Sequence, residues 1–214
     1  MKTFLLFDFD GVIVDSFEAA YACSKLGTRE EYKKLFYGNV YEEIEKNYPG
    51  KDNEIPVAED PFFSNYIPRL MALDPVVGMP DVLSRLAQSH TMAVVSSTIN
   101  APIQAFLDKH DIAAHFDTVM GADVHKSKVH KIKLAFDMYD AVPEQCLFIT
   151  DTLGDMREAG KAGVAALGVS WGWHDHATLA QGSPIAIADT PSQLHDAIQA
   201  WRTKMPAVGD SGQR

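Results

Sequence analysis

The run Phe4-Leu5-Leu6-Phe7 leaves a folding chain few options, because all four residues are large and apolar and they end abruptly in Asp8-Phe9-Asp10-Gly11. A strand wetted on one face would alternate polar with apolar residues. This run does not alternate, which predicts a strand covered on both faces, the usual situation in a parallel sheet. Side chains two apart in a strand share a face, so Asp8 and Asp10 start out pointing the same way. Two like charges so close are unfavourable unless a metal ion or a shared proton compensates them. The pair therefore points to a site at the carboxyl end of the strand; the alternative is a loop start in which the two acids only cap a turn.

Beyond residue 76 the pattern alternates between helix and strand. Pro80 to Gln88 carries Val82, Leu83, Leu86 and Ala87 at helical spacing, and Met92 to Val95 is an apolar run ending in Ser96-Ser97-Thr98. Helices are predicted over 101–109, 128–139 and 154–162, strands over 116–120, 146–149 and 164–169, and a last helix from Thr190-Pro191-Ser192-Gln193. This alternation predicts an α/β fold, a doubly wound (Rossmann-like) parallel sheet with helices on both faces. Ligands of such sheets bind beyond the carboxyl ends of the strands. Asp8 with Asp10, Ser96, and Asp151 all fall at those ends.

Residues 16–76 have a different texture. They are rich in Tyr and Glu, contain helical stretches at 29–36 and 40–47 and a Pro-, Gly- and Asp-containing loop at 49–61, and lack a convincing strand. The organisation predicted is a core of residues 1–15 and 77–204, a small helical cap inserted at 16–76, and a flexible tail at 205–214. The cap holds seven Lys and Arg against eleven Asp and Glu, so it is no basic clamp.

The whole chain has 214 residues and a formal net charge of −10 without a dense Lys/Arg run, which argues against broad nucleic-acid binding through counterion release. No apolar run approaches the ~20 residues of a membrane span. Met1-Lys2-Thr3 passes straight into the first strand, so no signal peptide is expected, and Cys23 and Cys146 suit free, packed thiols of a reducing, cytoplasmic compartment.

The residues at the strand ends form a chemical kit. A carboxylate attacks phosphorus when a divalent cation screens its charge, and a second carboxylate can protonate the leaving oxygen and then activate water. An oxygen-only set such as Asp8, Asp10 and Asp151 suits Mg²⁺. Gly11, Ser96 and Ser97 are candidates to bind the phosphoryl group, and a lysine at a helix start could balance the remaining charge. Taken singly, Ser96 and Ser97 also suit a turn, and Asp151 and Asp155 suit the first turn of a helix.

Asp8-Phe9-Asp10-Gly11-Val12, Ser96, Lys126 or Lys128, and Asp151-Thr152-Leu153-Gly154-Asp155 together resemble the four ordered motifs of the haloacid dehalogenase superfamily. The resemblance spans nearly the whole chain, and Val169-Ser170-Trp171-Gly172 is similar to the phosphoglycolate-phosphatase-like branch. It implies that Asp8 is a nucleophile forming an aspartyl-phosphate. Asp10 would be the general acid/base, giving its backbone carbonyl to Mg²⁺. Ser96 would hold the transferring phosphoryl, Asp151 would ligate the metal, and Asp155 would support it directly or through water. Gap-free spacing back from Asp151 places the family's lysine at Lys126. Ser127 stands where the usual proline would follow, however, and Lys128 lies nearer the helix start. Ser97 likewise departs from the asparagine common after the second motif.

The expected activity is Mg²⁺-dependent hydrolysis of a small-molecule phosphate monoester by a monomer or small homo-oligomer that binds neither nucleic acid nor membrane. A phosphomutase of the β-phosphoglucomutase type and a non-enzymatic binding module are the alternatives. His174-Asp175-His176 is expected to serve the surface or a helix cap, and His125 and His130 to be solvated. Lys25, Arg29, Lys33 and Lys34 suit a charged helix face, from which Lys25 or Arg29 could reach the leaving group.

Overall fold

A computed structural model describes residues 2–49 and 56–205. In chain order the elements are β1 (Phe4–Phe7), α1 (Phe17–Ser24), α2 (Arg29–Lys34), α3 (Val40–Asn47), α4 (Pro61–Leu70), α5 (Met79–Ala87), β2 (Thr91–Val95) and α6 (Asn100–Lys109). There follow β3 (Thr118–Met120), α7 (Lys128–Tyr139), β4 (Cys146–Thr150), α8 (Leu153–Lys161), β5 (Ala165–Val169), α9 (His176–Ala180), β6 (Ile187–Ala188) and α10 (Pro191–Lys204). The six strands form one parallel sheet in the order β3-β2-β1-β4-β5-β6.

β1 is fully buried and lies between β2 and β4, with Phe7 opposite Val94 on one side and Ile149 on the other. This register brings the carboxyl ends of three strands level. The chain winds outward from β1 in both directions, so a crevice opens where the two windings part, beside β1 and β4. Leu5 and Phe7 pack into the layer formed with α5, α6 and α10, and Leu6 and Phe4 into the layer of α7 and α8. Each face of the strand thus has its own apolar core, which is why its sequence could not alternate.

α1 to α4 occupy the stretch between β1 and α5, with no strand among its described residues. The sequence pattern missed α1 and α4. α4 carries Pro68 within its last turn, a residue that normally argues against helix, and starts on the Asp60 cap with Pro61 next. β3 begins at Thr118 rather than at 116, because Phe116 still closes a turn of 3₁₀ helix. The short β6 and α9 gave no periodic signal at all. The loop expected over 49–61 lies partly, and the tail expected over 205–214 almost wholly, outside the described residues. Both cysteines are free and buried, and among the described residues no helix is long and apolar enough to cross a membrane.

His90, just before β2, is a buried polar group with a specific consequence. One ring nitrogen lies 2.7 Å from Thr3 Oγ1 and the other has no partner. Burial, reinforced by the charges of Arg202 and His195, pulls its pKa down from 6.5 to about 4. Folding therefore favours the neutral ring, so the contribution is complete above the unfolded value and is lost as pH falls toward the folded one. The thermal midpoint is expected to drop between about pH 6.5 and about pH 4, and His90→Asn to flatten that drop, as measured by calorimetry across the range.

Candidate active site

The floor of the site is built by loops that leave the strands. After β1 the chain turns sharply at Gly11, whose φ of +74° suits glycine, and a Cβ there would strike Asp151. A Cβ on Gly172 would strike the same carboxylate. Asp151 thus sits in a cradle of two glycines, fully buried, with one oxygen accepting from Trp173 N–H at 2.8 Å and the other without a partner.

The lysine question has a geometric answer. Ser127 is the N-cap of α7, its hydroxyl accepting from His130 N–H, so Lys128 becomes the first helical residue and turns inward. Its Nζ lies 2.8 Å from Asp8 Oδ2 and 2.6 Å from Asp155 Oδ2, with the side chain 2% exposed. Lys126, which gap-free spacing selects, does not reach either carboxylate. Its ammonium lies 5.3 Å above the Tyr41 ring at the edge of the cavity. Replacing the usual proline by a capping serine shifts the helix start, and with it the lysine that points in.

Charge is unevenly balanced here. Burial pushes the Asp8 carboxyl well above its usual range, with Lys128 pulling it back and Asp155 adding to the rise. Burial also drives Asp151 up to about 8. For Asp155 burial is outweighed by Lys128 and by hydrogen bonds, including one from Thr150 Oγ1 at 2.9 Å, so its pKa is lowered. Burial opposes the charge of Lys128 too, but the two carboxylates win and its pKa rises. Asp8 and Asp155 share the Lys128 ammonium, and Asp151, buried beside them, has no hydrogen bond or ion pair to it.

Asp10 is held differently. Its oxygens accept from Ser16 Oγ at 2.7 Å, from Thr98 Oγ1 at 2.7 Å, and from the hydroxyl of Tyr66, which descends from α4. Ser96 is fully buried, and its Oγ accepts from Thr98 N–H at 3.0 Å, so it braces the loop after β2 rather than facing the cavity. Ser97 and Thr98 do line the cavity, and Ser97 accepts from Tyr41 through its backbone carbonyl. Buried Lys131 donates to the carbonyls of Ser96 and Gly121, and burial pulls its pKa down to about 7.

Among the described residues no three His, Cys, Asp or Glu side chains are gathered as a metal cluster. The expected set Asp8, Asp10, Asp151 and Asp155 is near one spot, but Lys128 engages Asp8 and Asp155 while three hydroxyls engage the Asp10 side chain. The free oxygen is that of Asp151. Thr98, Tyr66, Ser16 and Lys131 escaped the sequence reading. The Ser96-x-Thr98 spacing after a strand was the one usable signal; nothing local marks Tyr66.

The cap sits closed over this floor. Asn39 Nδ2 donates to Lys126 O and Glu158, Tyr41 to Ser97 O at 2.7 Å, and Arg157 to Tyr37 O at 2.6 Å. A Cβ on Gly154 would lie 2.2 Å from Gly38 O, so the cap backbone approaches α8 at a point only glycine permits. His174 is not a surface residue as expected but bridges the two parts, accepting from Leu153 N–H and donating to Lys33 O, while its neighbour Asp175 caps α9. His125 and His130 stack on each other. Arg29 pairs outward with Glu18, and Lys25 lines the cavity, a space of about 390 Å³.

Residues 5–169 match the profile of the family described as haloacid dehalogenase-like hydrolase. The protein named "Probable phosphatase IndB" of Dickeya dadantii is 28% identical over 94% of this chain and 95% of its own length. A phosphoglycolate phosphatase of Vibrio parahaemolyticus is 23% identical over 91% of this chain and 95% of its own. Among solved structures, a predicted phosphatase from Clostridium acetobutylicum aligns with a TM-score of 0.80 at 19% identity, covering 94% of this chain and 99% of that one. A haloacid dehalogenase-like family hydrolase from Streptococcus pneumoniae aligns with a TM-score of 0.74 at 23% identity over 92% and 99%. These structural likenesses establish the fold.

Removing Lys128 leaves two buried carboxylates without their cation. Lys128→Met is expected to destabilise the fold by about 3–5 kcal/mol in urea titrations at neutral pH. Lys126→Met, whose ammonium rests over the half-buried Tyr41 ring, is expected to change stability by under about 1 kcal/mol.

Proposed function

The chain belongs to the haloacid dehalogenase-like hydrolases, and from that membership we propose that it is a Mg²⁺-dependent phosphatase that takes a phosphoryl group onto Asp8 and passes it to water. The observation that carries the reading is the crowding of acids around Asp8: buried Asp8 and Asp155 share the ammonium of Lys128, and Asp151, buried nearby, keeps an oxygen without a partner. A divalent cation held by Asp8, Asp151 and the backbone carbonyl of Asp10 fits that crowding and the oxygen-only donor set. Bound there, Mg²⁺ would screen the approaching phosphate from the carboxylates and polarise its oxygens.

The chain's own groups supply the remaining steps. An Asp8 carboxylate oxygen forms a bond to phosphorus as the bond from phosphorus to the ester oxygen breaks. Asp10, protonated at this stage, gives its proton to the leaving oxygen. The three hydroxyls around Asp10 can each donate or accept, so the same cage holds the acid and its conjugate base. Asp10 then takes a proton from water while the water oxygen attacks phosphorus, the Asp8–phosphorus bond breaks, and inorganic phosphate leaves. Lys128 offsets the charge on Asp8 throughout, and the closed cap keeps bulk water away from the acyl phosphate. Intact Asp10 distinguishes this set from one able only to form the phosphoenzyme, because the second step needs a base.

Full-length protein with Mg²⁺ is expected to hydrolyse p-nitrophenyl phosphate and to stop on chelation, with Asp8→Asn reduced to background. Asp10→Asn is expected to slow steady-state turnover of alkyl esters and of p-nitrophenyl phosphate by about 10²–10⁴-fold, because both need the base of the second step, while p-nitrophenol, whose departure needs no proton, is still released in a first-turnover burst. Water labelled with ¹⁸O should appear in the released phosphate, which separates hydrolysis from transfer to a second hydroxyl. A folded, Mg²⁺-supplied protein that turns over no member of a phosphate-ester panel would overturn the proposal.

A further inference from the structure

We infer that the alcohol released by this enzyme carries a flat aromatic or heteroaromatic ring, a class that includes aryl phosphates and nucleoside monophosphates, rather than the small acid implied by phosphoglycolate-processing relatives. The inference rests on the phosphatase reading and concerns the half of the cavity that the reading leaves unused. That half is the cap side, above Asp8 and Asp10, within a space of about 390 Å³. A space of this size falls in the range of ordinary small-molecule sites.

Its wall is made of rings. Phe36, Tyr41 and Phe62 each line the cavity and stay only half-buried although the cap is closed. Buried rings hold two of them in place. Phe36 meets Trp173 edge-on at 4.4 Å between centroids, and Phe62 stacks on Tyr66 at 5.3 Å and 21°. Trp173 and Tyr66 are 5% and 1% exposed, so their partners are presented on rigid backing. If these rings served only the core of the cap they would be covered by it. Instead, each leaves part of its apolar ring in the wall of the cavity that Asp8 and Asp10 also line, at little further cost in side-chain entropy.

The polar inventory agrees. A carboxylate on the leaving group calls for a fixed, preferably forked, cation. Among the described residues no arginine lines the cavity, and Lys128 is committed to Asp8 and Asp155. Lys126 rests over the Tyr41 ring, and Lys25 is a solvent-exposed residue in the left-handed C-cap of α1. A two-carbon acid would leave the rings wet and find no buried partner for its charge. A planar ring covers them, and the Lys126–Tyr41 pair adds a cationic edge beside it.

The test uses matched esters with the full chain and Mg²⁺. Adenosine and uridine 5′-monophosphates are compared with ribose 5-phosphate, which lacks only the base, and benzyl phosphate with cyclohexylmethyl phosphate, which lacks only the flatness; 2-phosphoglycolate completes the set. At least one ring-bearing ester is expected to exceed its matched partner about tenfold in kcat/KM, and whichever pair shows the larger ratio tells nucleotides from simple arylmethyl esters. Phe62→Leu and Phe36→Leu, substitutions at half-buried sites, are expected to cut that ratio severalfold. Ratios near one in both pairs, or preference for 2-phosphoglycolate, would overturn the ring inference while leaving phosphatase activity intact. If no ester is turned over, the phosphatase reading fails, and calorimetric titration of the same pairs into Asp8→Asn decides the ring inference separately: tighter binding with the ring supports it, equal binding ends it.

Discussion

A single buried ammonium holds this site together. Lys128 lies between Asp8, just after β1, and Asp155, in the first turn of α8, and it opposes the rise that burial imposes on both carboxyls. The backbone makes that placement durable. Glu158 of α8 accepts from Lys128 N–H at 3.0 Å and from the Ser127 hydroxyl, answering donors that a helix start leaves unpaired. Asn39 of the cap donates to the same Glu158. The carboxylate that fixes the lysine therefore also fastens the cap, and disturbing one would loosen the other.

Asp10 is the second junction. The three hydroxyls on its oxygens come from the segment leading into the cap (Ser16), from the loop after β2 (Thr98) and from the cap helix α4 (Tyr66). Lifting the cap would remove Tyr66 and leave the other two. The group assigned to move protons is thus fully caged only with the cap closed, when the acyl phosphate would also be shielded. A direct contact, the Tyr66 hydroxyl on Asp10, thus joins the cap to the group assigned to proton transfer.

The parts of this arrangement that showed in the sequence are those that rest on local rules. The unalternating β1 announced a buried parallel strand, and Asp8, Asp10 and Asp151 stood at strand ends where the alternation of helix and strand put them. Long, periodic α7 was legible for the same reason. What failed to show depends on contacts between distant residues. Gap-free spacing favours Lys126 over Lys128, and it is the Ser127 cap that makes Lys128 the first helical residue and the one facing in. Tyr66 lies in a helix that Pro68 disguises and contributes one hydroxyl to a carboxylate 56 residues away. Ser96 looked like the phosphate ligand by position, yet its oxygen is used on Thr98 N–H, and the loop it stiffens presents Ser97 and Thr98 instead.

Floor and roof of the cavity answer to different constraints. The floor is set by the register of a six-stranded parallel sheet in which β1 is paired on both sides, so moving Asp8 by one residue would turn Leu5, Leu6 and Phe7 to the wrong layers. The roof is attached by polar contacts of Asn39, Tyr41, Tyr66 and His174, by the packing of Phe17, Tyr32 and Phe36 on Trp173, and by the close passage of Gly38 over Gly154. Its rings can change without disturbing that register. On the proposed mechanism, the step common to all phosphate esters belongs to the sheet layer, and the choice among esters falls to the roof. The half-buried rings of Phe36, Tyr41 and Phe62 lie where that choice would be made.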